Sequence, residues 1–196
     1  MPGSPDGFAH SLRLAQVGDS LGAPFVAVAP VAGTRSRYRG EWAGQWEDYV
    51  VRDVVPWVDA RLSRGSRTIA GLSAGGFGAV DIALRHPGLF STVESWGGYF
   101  QPFRDGPLAR ATPAELAAHD PVLLVRREAR ALRSTRFFLS SGASHGVVRV
   151  ADTTSFAAEL ARLRIPHVTL LLHAHRADWR GQFTAGLRYA VLPATS

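Results

Sequence analysis

The stretch "RTIAGLSAGGFGAVDIALRHPG", Arg67 to Gly88, decides the fold. "RTIAG" is a short β-branched, apolar run. "FGAVDIALRH" has helical spacing and is closed by "HPG". Between them lies G-x-S-x-G, here Gly71-Leu72-Ser73-Ala74-Gly75. Alone this pattern is common. Placed between a strand and a helix, it occupies the one position where a nucleophile elbow can form. Such a turn strains the serine backbone, and side chains at Gly71 and Gly75 are expected to collide with the adjoining strand and helix. Ser73 would stand at a helix N-terminus, where free N–H groups and the helix dipole stabilise a developing anion. The Ala74 N–H is then the expected oxyanion donor. The alternative, a plain glycine-rich turn, carries no such requirement for serine.

Outward from this turn, the chain alternates short apolar runs with amphipathic ones. Five strands are predicted: Pro24–Ala29, Arg67–Gly71, Ser91–Trp96, Arg136–Ser141 and His167–His173. Helices are predicted over "FAHSLRLAQVGDSLG", closed by Gly22, and over "WEDYVVRDVVPWVDARL". The second places Trp46, Tyr49, Val50, Val54, Trp57 and Val58 on one stripe, with Pro56 kinking or splitting it. Further helices are predicted after Ser73, through most of Leu108–Ser134, over "DTTSFAAELARLR" with Asp152 as N-cap, and over "DWRGQFTAGLRYAVL". Repeated β-then-α units imply a parallel sheet with helices on both faces. No repeat or linker interrupts the 196 residues, so residues 1–196 are expected to form a single α/β domain.

Composition narrows the function classes. Hydrophobic residues make up 46% and charged residues 19%, as in ordinary globular domains. Cysteine is absent, which removes disulfides, thiolate metal sites and a cysteine nucleophile. The net charge is +6, and all 22 basic residues are arginine. They are spread along the chain rather than clustered with aromatics, so no nucleic-acid partner is expected. No apolar run is long enough to span a bilayer. "MPGSPDG" lacks the basic and apolar regions of a signal peptide, so the chain as encoded is expected to be cytoplasmic.

The stretch "RTIAGLSAGGFGAVDIALRHPGLF", followed by "ESWGGYF", resembles the esterase family that includes esterase D and the antigen 85 mycolyltransferases. "GEWAGQWEDYVVRDVVPWVDARL" is similar to the Trp-containing loop and helix that precede the elbow in that family, and "AAHDPVLLV" and "FFLSSG" are similar in kind and order. The resemblance implies an α/β-hydrolase fold and ester hydrolysis or acyl transfer by a Ser-His-acid triad. It implies no cofactor, and a small-molecule ester or acyl substrate. Relatives in this family are often secreted.

The family carries its histidine after the final strand, a few residues before a tryptophan. In "LLLHAHRADWRGQF", His175 before Trp179 fits that place best, with His173 as the alternative. The acid belongs in the loop after "RFFLSSG". This chain has Ser144, His145 and Gly146 there, and its first carboxylate is Asp152, which fits equally as a helix N-cap. Trp42, Trp96 and Tyr99, with Phe100 and Phe103, are either the lining of an acyl pocket or core packing. "HAHRAD" also places His173, His175 and Asp178 as a metal site would, but no second ligand cluster accompanies them, and no metal is expected. Without an orienting acid, a degenerate hydrolase-fold protein that binds a ligand or partner is the alternative function.

The resemblance also places a strand and a His-Gly-type loop ahead of "MPGSPDGF". That strand would lie between Pro24–Ala29 and Arg67–Gly71. Its absence from this sequence leads to the expectation that the encoded chain is N-terminally truncated, with Pro24–Ala29 displaced from the sheet, or that the two strands close up.

Overall fold

The computed structural model describes residues 12–22, 25–31, 42–62, 65–142, 147–172 and 179–191. Four strands form one parallel sheet: β1 (Thr68–Leu72), β2 (Thr92–Trp96), β3 (Arg136–Gly142) and β4 (His167–Leu172), in the order β1-β2-β3-β4. The register pairs Gly71 with Ser95 and Trp96 with Ser140, which aligns the C-terminal ends of the first three strands. β2 is buried along its whole length, as a central parallel strand must be.

The first predicted strand, Pro24–Ala29, is a correction. Residues 25–31 form no ladder with the sheet among the described residues, and Val26, Val28 and Val31 are all exposed. "PFVAVAP" has strand-like sequence, but no strand among the described residues pairs with it. Of the two arrangements expected for this run, displacement from the sheet is the one observed.

Helices cover both faces. Helix α1 (Leu14–Leu21) ends on Gly22 at φ 62°, the left-handed C-cap its sequence predicts. The second helical stretch splits into α2 (Gln45–Asp48), a π-helical segment (Tyr49–Val54) and α3 (Val55–Asp59). Pro56 sits in the first turn of α3, where a missing N–H is tolerated. The π segment adds a residue to the turn and rotates α3 about the helix axis, so Trp57 leaves the predicted stripe. It is 52% exposed, with the Arg61 guanidinium over its ring. Then come α4 (Ala74–Arg85), α5 (Pro113–Ala117), α6 (Pro121–Glu128), α7 (Val147–Arg162) and α8 (Trp179–Val191). Thr112 and Glu115 close a capping box on α5, and the Asp120 carboxylate accepts from the N–H groups of Val122 and Leu123 on α6.

One face of the sheet packs against α4, α6 and α7 through Val80, Leu84, Val93, Leu124, Phe137, Leu139, Phe156 and Leu160. The other packs against α8, and against α1 and Leu12 just ahead of it, through Leu12, Leu14, Val17, Trp96, Phe138 and Phe183. Among the described residues, no helix is long and apolar enough to cross a membrane.

Candidate active site

Ser73 connects β1 to α4 with φ 56° and ψ −118°. It is one of three non-glycine residues at positive φ among those described, with Arg13 and Arg164. A serine that merely capped a helix would sit in the β-region and accept a hydrogen bond from an N–H of the first turn. The Ser73 side chain makes no such bond, and the residue is exposed. Its hydroxyl is therefore presented outward rather than used to finish the helix.

The neighbours hold this conformation. The Ser73 N–H donates to the Trp96 carbonyl at 3.0 Å, which ties the turn to the end of β2. The Ser73 carbonyl accepts from Gly76 at 2.9 Å and from Phe77 at 3.1 Å, starting α4. A Cβ on Gly71 would lie 2.1 Å from the Gly75 carbonyl oxygen, so only glycine fits there. A Cβ on Gly75 would meet nothing within 4 Å, which corrects the expectation of a collision at that residue. The second close approach is at Gly76, whose Cβ would lie 2.7 Å from Ser95 Oγ and 3.1 Å from Gly98 Cα. The helix turns tightly over the strand end at Gly71 and Gly76, and Gly75 faces open space. Ala74 is the first residue of α4, so its N–H is among those with no partner inside the helix.

Of the other predicted site residues, His173 and His175 lie outside the described residues, as does Asp178. Asp152 is described and is not an N-cap. It is half-buried in the second turn of α7, because that helix begins five residues earlier, at Val147. Its position in a continuous helix leaves no cap for it to make. Among the described residues no group of three His, Cys, Asp or Glu side chains converges as a metal site would.

The aromatic set separates. Trp42 is half-buried and packs on α4 at Gly78, where a Cβ would lie 2.4 Å from its own. Trp96 is buried beneath α8, edge-on to Phe183 at 5.2 Å between ring centroids. Tyr99 is buried and stacks on Phe77 at 5.3 Å. Phe100 stacks on Phe156 within the core at 4.3 Å. Phe103 packs on Tyr99 at 4.7 Å and remains 49% exposed. Trp96, Tyr99 and Phe100 thus do core packing, and Phe103 is the member that faces solvent.

The structure adds buried ionisable groups that the sequence did not single out. Asp81 on α4 lies 2.7 Å from His119 Nδ1, and burial raises its carboxyl to about 6 against the pull of that histidine. The Glu47 carboxylate of α2 bonds both Arg85 at 2.8 Å and His86 at 2.7 Å. Glu94 in β2 accepts a hydrogen bond from the Trp96 indole at 3.0 Å, and burial raises its carboxyl to about 8. A charged residue inside an otherwise strand-like run, as in "TVESW", was the available signal for the last.

Residues 16–190 match the family model described as "Putative esterase". The chain belongs to this esterase family. Esterase Rv1288 of Mycobacterium tuberculosis is 29% identical over 88 residues, covering 40% of this chain and 19% of that protein. The fold is similar to that of FphF, a fluorophosphonate-binding serine hydrolase of Staphylococcus aureus, with a TM-score of 0.58 and 19% identity, covering 76% of this chain and 64% of that one. It is also similar to Mycobacterium tuberculosis MPT51, with a TM-score of 0.56 and 19% identity, covering 75% of this chain and 69% of that one. This member of the esterase family therefore has an α/β-hydrolase fold, and it spans about a fifth of the length of the curated relative it matches.

Proposed function

We propose that this chain is a serine hydrolase of carboxylic esters, with Ser73 as nucleophile. The observation that carries this reading is the Ser73 backbone at positive φ between strand and helix, with the hydroxyl unused by the helix. In the proposed reaction, Ser73 Oγ attacks the ester carbonyl and its proton passes to the imidazole of His175. The tetrahedral oxyanion is stabilised by the Ala74 N–H and the N-terminus of α4. Collapse releases the alcohol, which takes the proton from the imidazolium, and leaves an acyl-Ser73 ester. Water, or an alcohol acceptor in acyl transfer, then attacks that ester by the same proton path in reverse. Asp152 is the candidate for orienting the imidazole, and its place in the second turn of α7 makes it the weakest member of the set.

That weakness favours a second reading, a hydrolase-fold protein that binds a ligand without turning it over. A fluorophosphonate probe separates the two. It phosphonylates a serine only where the hydroxyl is activated and the oxyanion donor is in place. The proposed function requires stoichiometric labelling that maps to the Ser73 peptide and is lost in Ser73→Ala. A folded chain that takes no label, or that is labelled equally in Ser73→Ala, would overturn it in favour of the binding role.

A further inference from the structure

Beneath α8 the sheet carries a carboxyl that the proposed reaction does not use. Glu94 lies at the centre of β2, between β1 and β3, and is 1% exposed. Its Oε2 accepts the Trp96 indole N–H, and its Oε1 has no hydrogen-bond partner among the described residues. A Cβ on Gly186 of α8 would lie 2.1 Å from Oε2 and 2.7 Å from the Trp96 indole nitrogen. The helix backbone thus rests directly on the carboxyl–indole pair, with no side chain between them. The preceding turn of α8 is fixed to the same layer. Phe183 packs edge-on to Trp96, and the Gln182 side-chain oxygen accepts a 2.9 Å hydrogen bond from the Ser140 hydroxyl.

We propose that Glu94 is a positioning residue: its carboxyl is the seat of α8, and through α8 it sets the helix that begins four residues after His175. The link to that histidine rests on the proposed function, whereas the seating of α8 does not.

A seat of this kind depends on protonation. Burial favours the neutral carboxyl, and the Trp96 hydrogen bond and the Arg136 guanidinium oppose that preference without overcoming it. Among the described residues, the charged and titratable groups that act on Glu94 are Arg136 of β3 and Tyr189 of α8. Arg136 also holds the far end of α8, lying over the Tyr189 ring and donating to the carbonyls of Tyr189 and Ala190. On the β1 side the register neighbour is Ala70, and α1 meets this layer through Leu14 and Val17. Ionising Glu94 would place a carboxylate with a bare Oε1 against the helix backbone, and burying such a charge is costly.

The test is hydrogen exchange of backbone amides from about pH 6 to about pH 9.5, corrected for intrinsic rates. Helix α6 serves as the internal reference. In the wild type, protection of α8 relative to α6 falls by up to about tenfold per pH unit as pH rises toward about 8 and levels off above it, because the closed state holds the proton to about pH 8 and the open state releases it near 4.5. In Glu94→Gln, which keeps an acceptor for the indole and never ionises, the ratio stays flat. In Trp96→Phe, removal of a donor that favours the ionised form moves the levelling-off to higher pH. A wild-type ratio without this slope overturns the proposal, as does a slope that persists in Glu94→Gln or a levelling-off that stays unmoved in Trp96→Phe. The fluorophosphonate labelling rate at Ser73 should fall over the same pH range as α8 loosens. If exchange shows the expected pH dependence and no label is taken up, the seat stands and the hydrolase reading fails.

Discussion

On the α4–α6–α7 side of the sheet, Val93, Phe137 and Leu139 enter a continuous apolar cluster. On the α8 side, the same two strands present Glu94, Arg136 and Ser140 in alternation with Trp96 and Phe138. One residue's shift along a strand changes the face, so neighbouring residues serve different layers. The apolar layer holds the strands and the elbow helix by area and packing. The α8 layer holds its helix through a few directed polar contacts, and those depend on pH as apolar contacts do not.

The largest effect that could break this contrast is a core truncation. Phe156 is fully buried, stacked on Phe100 and edge-on to Phe137. Phe156→Ala is expected to cost about 3–5 kcal/mol in urea unfolding. The loss should be the same near pH 6 and near pH 8. A loss that changes with pH would show that the apolar layer is coupled to ionisation after all.

The next effect belongs to Glu94. The folded protein holds this proton to about pH 8, whereas the unfolded chain releases it near the ordinary glutamate value of 4.5. Between those limits the native state binds more protons, so stability falls as pH rises, by up to about 1.4 kcal/mol per pH unit. Above about pH 8 both states are ionised and the slope from this group ends. Glu94→Gln should remove this component, read as the difference between the two unfolding profiles. Parallel profiles would mean that the carboxyl is solvated in solution.

Smaller still is Gly186→Ala. In a helix, Gly→Ala usually stabilises. Here the methyl would meet Glu94 Oε2 at 2.1 Å, so a net loss of about 1–3 kcal/mol is expected from overpacking. The smallest effect is the control. Gly75→Ala lies in the first turn of α4 with nothing within 4 Å of its Cβ. Its expected change is neutral to about 1 kcal/mol stabilising. Opposite signs for the two glycines in thermal melts would isolate the contact beneath α8.

The sequence made the elbow legible because several constraints coincide in one short stretch: an apolar run, two obligatory glycines and a helical pattern. Gly71 is one of the close approaches. The other is Gly76, one residue from where it was expected, because a glycine pair does not reveal which member faces the strand. The four paired strands were recognisable from short runs of β-branched, aromatic or aliphatic residues. Residues 25–31 have the same sequence character, yet a strand also needs a neighbour, and composition carries no information about that. Asp152 illustrates a third limit. An aspartate before an amphipathic run resembles a cap, but the helix extends to Val147, through "VVRVA", which reads equally well as strand. Glu94 could not be ranked by sequence, since its significance lies in Gly186, 92 positions later, coming down on it.

The Ser73 turn has a consequence for how this sequence is maintained. A non-glycine residue held at such a φ/ψ costs of order 1–3 kcal/mol, and glycine would relieve most of it. Five of the eight positive-φ residues among those described are glycines. Mutational drift acting on stability alone would push position 73 the same way, and the codons for some serines and glycine differ by a single base. On the proposed function, the serine persists because selection acts on its hydroxyl against that pressure. A lineage released from hydrolysis should lose this residue early, and position 73 would then record the loss before the fold did.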